Sequence, residues 1–271
     1  MAGAVETGTA EVNGTRLYYE TCGGGPVLLF LHGFTLDHRM WNRQTEALRD
    51  SYRIVTFDAR GAGRSAMPGT AGFMHCEDAA ALCEHLGLAR VIAIGHSIGA
   101  HYALELALSR PELISGLGLI CTSGLAGIPF PAEVVETFVA VRQTASSEGI
   151  AAARPIWARS RWFASARETP SLKSEIDQMF ADYSGWHWIH DNPATNIDPP
   201  AAERLGAVSV PTLVVTGGRD LPYNEVVGKA LLAGIPHAVG LPLPNAGHMA
   251  GMEDPDAVTR ALRELAQRAG R

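Results

Sequence analysis

The chain has 271 residues, 46% of them hydrophobic and 18% charged, and its 22 basic and 28 acidic side chains leave a formal net charge of −6. That balance belongs to an ordinary globular protein, long enough for one or two domains. No basic patch stands out, which argues against nucleic acid and anionic membrane surfaces as partners.

The opening MAGAVETGTAEVNG lacks the basic start and apolar run of a signal peptide. No stretch approaches the ~18 consecutive apolar residues of a membrane span. Cys22, Cys76, Cys83 and Cys121 are scattered without C-x-x-C spacing and read as reduced thiols. The expectation is a soluble, cytoplasmic protein. Whether copies form a homo-oligomer is not legible in the sequence.

Asn13-Gly14 followed by Arg16–Glu20 looks like half of an N-terminal hairpin. Apolar, β-branched runs then recur at Val27–Leu31, Ile54–Phe57, Val91–Ile94, Leu117–Cys121, Pro211–Thr216 and Ala238–Leu243. Their near-continuous apolarity predicts strands buried on both faces of a parallel sheet. Helical periodicity falls between them, at Cys76–Leu86, His101–Ser109 and Val258–Ala266. Strands alternating with helices predict an open α/β sheet.

The alternation fails once. Between Cys121 and Pro211 no strand pattern occurs, yet Trp157, Trp162, Trp186 and Trp188, four of the five tryptophans, lie there. A structureless loop of that length is implausible in a compact domain, so a helical insertion over the sheet edge is expected. The division is then a core from residues 1–124 and 208–271, with the insertion at 125–207. Its aromatics either form the insertion's own core or line a ligand pocket. Trp157, Trp162, Trp186, His187 and Trp188 are therefore candidate substrate contacts.

The segment IAIGHSIGA ends the Val91–Ile94 run with Ser97 between Gly95 and Gly99. Glycines suit any tight turn, but here they also suit a nucleophile on a strained strand-to-helix connection. A serine nucleophile needs a base and a group to orient that base. Asp220 ends PTLVVTGGRD, and His248 lies in LPLPNAGHMAGMEDP after the last predicted strand. Upstream, Val27–Leu31 runs into His32-Gly33-Phe34. The backbone N–H groups of Phe34 and Ile98 are the candidate oxyanion hole.

Each residue also has a plainer reading. Asp220 suits a helix N-cap before PYNEVVGKALLAG. His32 is expected to order the oxyanion loop, and His96 to pack or hydrogen-bond rather than act as a base. His187 and His190 fit a solvated or satisfied role. Gly61–Ala66 matches a dinucleotide-binding pattern, but Met67-Pro68-Gly69 follows at once and leaves no helix to hold a pyrophosphate. No histidine spacing matches a metal site. Neither a cofactor nor a metal is expected.

In order and spacing, HGF, FDARGAGRS (Phe57–Ser65), GHSIG, GGRD and GHMAGMEDP resemble the α/β-hydrolase superfamily from about Thr15 onward. The resemblance implies a Ser97–His248–Asp220 triad, a variable cap at the insertion, and a structural loop pinned by Asp58 and Arg60. A serine at the elbow separates the chain from the aspartate-nucleophile dehalogenases and epoxide hydrolases of this fold. HGFTLDHRMW is similar to enol-lactone hydrolases and related esterases. The expected function is hydrolysis of an ester or lactone of a small molecule. Two alternatives stay open: C–C hydrolysis of a vinylogous diketone, and a slow-turnover ligand-binding receptor. Arg154, Arg159 and Arg161 form either a site for a substrate carboxylate or a solvated helix face.

Overall fold

The computed structural model describes residues 4–270. It opens with a hairpin of β1 (Glu6–Val12) and β2 (Thr15–Cys22), in register from Glu6–Thr21 to Val12–Thr15. Asn13 and Gly14 form its turn with φ of 45° and 68°, the left-handed pair that matches strand twist. The fully apolar β3 (Val27–Leu31) is followed by α1 (Asn42–Leu48), β4 (Arg53–Phe57) and α2 (His75–His85). Then come β5 (Val91–His96), α3 (Ile98–Ser109) and β6 (Ile114–Ile120).

Between β6 and the next strand lie α4 (Ala132–Glu148), α5 (Ile150–Ala158), α6 (Pro170–Asp182) and α7 (Trp186–Ile189), with short 3-10 turns. The chain closes with β7 (Thr212–Gly217), α8 (Pro222–Gly234), β8 (Ala238–Leu243), α9 (Ala250–Glu253) and α10 (Pro255–Ala269). The eight strands form one sheet in the order β1-β2-β4-β3-β5-β6-β7-β8. β1 and β2 pair antiparallel, and the six strands from β4 to β8 in that order run parallel.

Side chains alternate across β3, and so do the layers they join. Leu29 and Leu31 belong to a cluster that also takes in Ala79 of α2, Leu104 of α3 and, farther along the sheet, Val227 of α8. Leu28 and Phe30 face the other way, toward Leu262 of α10 and Trp41. That second cluster does not stop at the sheet. It continues through Trp157, Trp162, Phe163, Phe180 and Trp188 of the insertion, so these helices share the sheet's core rather than holding a separate one. All four cysteines are buried and free. Among the described residues no helix is long and apolar enough to cross a membrane.

Candidate active site

The parallel strands deliver their C-terminal ends to one edge, where ligands bind in open α/β sheets. Ser97 stands between β5 and α3 with φ 57° and ψ −122°, a conformation that costs a non-glycine residue about 1–3 kcal/mol. The flanking glycines make it feasible. A Cβ on Gly95 would lie 2.2 Å from the Gly99 carbonyl oxygen, and one on Gly99 would lie 2.4 Å from that of His32. Both neighbours are backbone and cannot yield.

Ser97 Oγ lies 2.9 Å from His248 Nε2. On the far side of the ring, His248 Nδ1 lies 2.9 Å from Asp220 Oδ2. All three groups are buried. The arrangement fits an imidazole that donates from Nδ1 to the carboxylate and accepts the serine proton at Nε2. Asp220 does not cap α8. The N-cap is Leu221, with no side-chain bond, and Asp220 Oδ1 instead accepts from the Leu221 N–H at 2.7 Å.

Three supporting residues were not foreseen in the sequence. Asn224, on the first turn of α8, donates through Nδ2 to Asp220 Oδ1 at 2.8 Å. Glu253 accepts from the backbone N–H of Gly247 and of Met249, each at 3.0 Å, clamping the loop on both sides of His248. It also accepts from Ser165 Oγ of the insertion at 2.5 Å. Ser123 lines the cavity beside Ser97. The GHMAGMEDP run contains Glu253, but spacing alone did not reveal a clamp. His96 sits behind the triad, its Nε2 2.8 Å from the His248 carbonyl.

The N–H groups of Phe34 and Ile98 bond to no protein acceptor among the described residues. Ile98 opens α3, where first-turn N–H groups have no partner within the helix. His32 stiffens the Phe34 loop by bonding at Nδ1 to the Gly33 carbonyl at 2.8 Å and accepting the Ala59 N–H at Nε2 at 2.9 Å. Thr35 Oγ1 donates to the Phe34 carbonyl and accepts from Trp157 Nε1, each at 2.6 Å. The insertion is thereby hooked to the loop.

A cavity of about 190 Å³ opens above Ser97 and His248, walled by Phe34, Phe130, Phe138, Trp157, Trp162 and Phe163 among others. Of the five candidate contacts, Trp157 and Trp162 belong to this wall. Trp186, His187 and Trp188 do not, which corrects the expectation. The one-turn α7 sends alternate rings in different directions. Trp188 turns into the core against Tyr183, and Trp186 stacks outside on His190 with planes 11° apart. His187 faces a small separate cavity behind the Phe34 loop. The arginines do not reach the wall either: Arg154 donates to the Tyr183 carbonyl, and Arg159 and Arg161 are exposed.

Ligand atoms of Cys121, Asp220 and His248 lie within 4.8 Å of one another. A metal on His248 Nδ1 would have to displace the proton shared with Asp220, and burial pushes the Cys121 thiol well up, away from its metal-binding thiolate. Gly61–Ala66 closes on itself through a bond from Gly61 N–H to the Ala66 carbonyl at 3.0 Å, and no helix follows until α2. Asp58 and Arg60 do hold backbone there: Asp58 accepts the Arg64 N–H, and Arg60 donates to the Asn13 carbonyl.

The family model described as the alpha/beta hydrolase family matches residues 28–261. The chain belongs to that family. The hydrolase superposes on a thermophilic esterase from Thermogutta terrifontis with a TM-score of 0.82, at 30% identity over 97% of this chain and 99% of that one. The enol-lactonase from Burkholderia xenovorans LB400 gives 0.81, at 26% identity over 96% of this chain and 100% of its own. RutD of Klebsiella pneumoniae, provisionally named a carbamate hydrolase, is 26% identical over 89% of the hydrolase and 91% of its own length.

Proposed function

We propose that this hydrolase cleaves carboxylic esters or lactones of small, largely apolar molecules through an acyl-enzyme on Ser97. The observation that carries the reading is the continuous hydrogen-bonded line from Ser97 Oγ through His248 to Asp220 on the floor of the aromatic cavity. Its chemistry is acyl transfer. His248 takes the serine proton as Oγ attacks the carbonyl carbon, and the carbonyl oxygen becomes an oxyanion facing the Phe34 and Ile98 N–H groups. When the tetrahedral intermediate collapses, His248 returns that proton to the leaving alkoxide. Water then enters, loses a proton to His248 and releases the acid.

Residues 125–207 act as the cap of this site, contributing Trp157 and Trp162 to its wall. The esterase and enol-lactonase neighbours support the substrate class. The test compares wild type with Ser97→Ala on short and long esters, neutral and acidic lactones, and a conjugated diketone. Many turnovers on esters or lactones by wild type alone, with the variant's melting temperature unchanged, is the expected result. Multiple turnover confined to the diketone would overturn the reading in favour of C–C hydrolysis. A single acylation that stalls on every compound would point instead to a receptor.

A further inference from the structure

Beyond Ser97 and the two histidines the cavity wall is apolar or aromatic except for Ser123, Tyr102 and Asn192, and Asn192 Oδ1 already accepts the Ala194 N–H. Ser123 lies just past β6, is 4% exposed and lines the cavity with Ser97 and His248. Its Oγ has no hydrogen-bond partner. A buried hydroxyl left unpaired costs about 1–3 kcal/mol, so native proteins give such groups a partner, and cavity-facing ones meet it in the ligand or in water. Tyr102 lines the same cavity.

The two flank one residue. Tyr102 is one turn of α3 beyond Ile98, on the same helix face. Next to Ser123, a Cβ on Gly124 would touch Ile98 Cδ1 at 2.8 Å. Both residues therefore sit beside Ile98, whose N–H is one of the two candidate oxyanion donors. A substrate carbonyl seated on that N–H has its acyl group in the cavity that Ser123 and Tyr102 line.

Resting on the acyl-enzyme reading above, we infer that Ser123, assisted by Tyr102, is a specificity-determining residue that hydrogen-bonds a hydroxyl or keto oxygen on the substrate's acyl portion. The preferred substrates are then oxygenated acyl esters, not plain aliphatic or aryl-alkyl ones. A site built around an unpaired buried hydroxyl discriminates against the analogue that lacks the matching oxygen, because binding that analogue leaves the hydroxyl unsatisfied.

The experiment uses the full chain and matched pairs: ethyl butanoate against ethyl 3-hydroxybutanoate and ethyl 3-oxobutanoate, and methyl phenylacetate against methyl mandelate. kcat/KM is read as the ratio of oxygenated to plain ester within each pair, for wild type, Ser123→Ala and Tyr102→Phe. Wild type should prefer the oxygenated member of at least one pair. Ser123→Ala should lower that ratio by about tenfold, the upper range for one neutral hydrogen bond, and Tyr102→Phe by less.

No preference in wild type, or a preference that survives Ser123→Ala, would overturn the inference. So would an equal loss on both members of every pair, the signature of a hydroxyl that only positions the deacylating water. Absence of multiple turnover on all of these esters and on lactones would instead sink the ester and lactone reading, and this inference with it.

Discussion

Three buried histidines meet different numbers of carboxylates, and the count separates their roles. His38, beside β4, touches two: Nδ1 is 2.7 Å from Asp58 Oδ1 and Nε2 is 3.2 Å from Glu20 Oε1. His248 touches one, Asp220, and turns its other nitrogen to a hydroxyl. His96 touches none and bonds at Nε2 to a backbone carbonyl. Burial opposes a charge on His38, but its hydrogen bonds to Asp58 and Glu20 outweigh that and push it up to about 9. Burial, with His248 alongside, pushes His96 down to about 3. An imidazole charged at neutral pH serves as a strut, and one neutral there serves as a spacer. Of the three, His248 alone lies between a carboxylate and a hydroxyl, the arrangement that the proposed acyl transfer uses.

The largest expected effect breaks the middle case. Asp220→Asn keeps the shape but offers an amide to Nδ1, which favours the tautomer with the proton on Nε2, where Ser97 needs an acceptor. kcat should fall by about 10⁴, as such a change does in serine proteases. Steady-state hydrolysis checks the loss, and thermal melting should show a folded enzyme. A drop of less than tenfold would place the orienting acid elsewhere.

The next effect falls on stability. Asp58 also accepts the His38 N–H at 2.9 Å and the Arg64 N–H at 2.8 Å. Asp58→Asn should cost about 3–5 kcal/mol in urea unfolding at neutral pH, because it leaves a buried imidazolium short of its partner. The kcat of the remaining folded enzyme should fall far less than in Asp220→Asn. The His38 pKa is higher folded than unfolded, so the stabilisation is complete below the ordinary value of 6.5 and is lost as pH rises through about 9. Wild type should therefore lose stability across that window. His38→Gln should be flatter there, and equal slopes would show that His38 does not carry the charge.

Much of this was legible in the sequence, for reasons that also mark the limit. Strands buried on both faces announce themselves as apolar runs, so β3, β4, β5, β7 and β8 fall within a residue or two of the predicted runs. β6 starts three residues earlier than its run because Ser115 and Gly116 hide its beginning. The order of Ser97, Asp220 and His248 followed from motifs tied to strand ends. Ring direction did not: nothing in GWHWIH tells which tryptophan α7 turns inward, since the neighbours that decide it come from distant segments. The clamp by Glu253 and the pairing of His38 with Asp58 and Glu20 were missed for the same reason. They depend on loops meeting in space, and in the sequence His38 is only one residue of HGFTLDHRMW.

The smallest effect sharpens the third case. His96 holds the His248 carbonyl at 2.8 Å, its ring centre 4.8 Å from that of His248. Gly33 leaves it room, for a Cβ there would lie 2.6 Å from His96 Nδ1. In the proposed mechanism such a residue positions the base without exchanging protons. His96→Gln should cost two- to tenfold in kcat, about the worth of one neutral hydrogen bond. The shape of the pH–rate profile should stay as it is, because a group held neutral down to about 3 does not titrate in the working range. KM on a small ester should barely move. If the variant instead shifted the acid limb of the profile, His96 would be exchanging protons with the site, and the rule that carboxylate count sets the role of each histidine would fail at its simplest member.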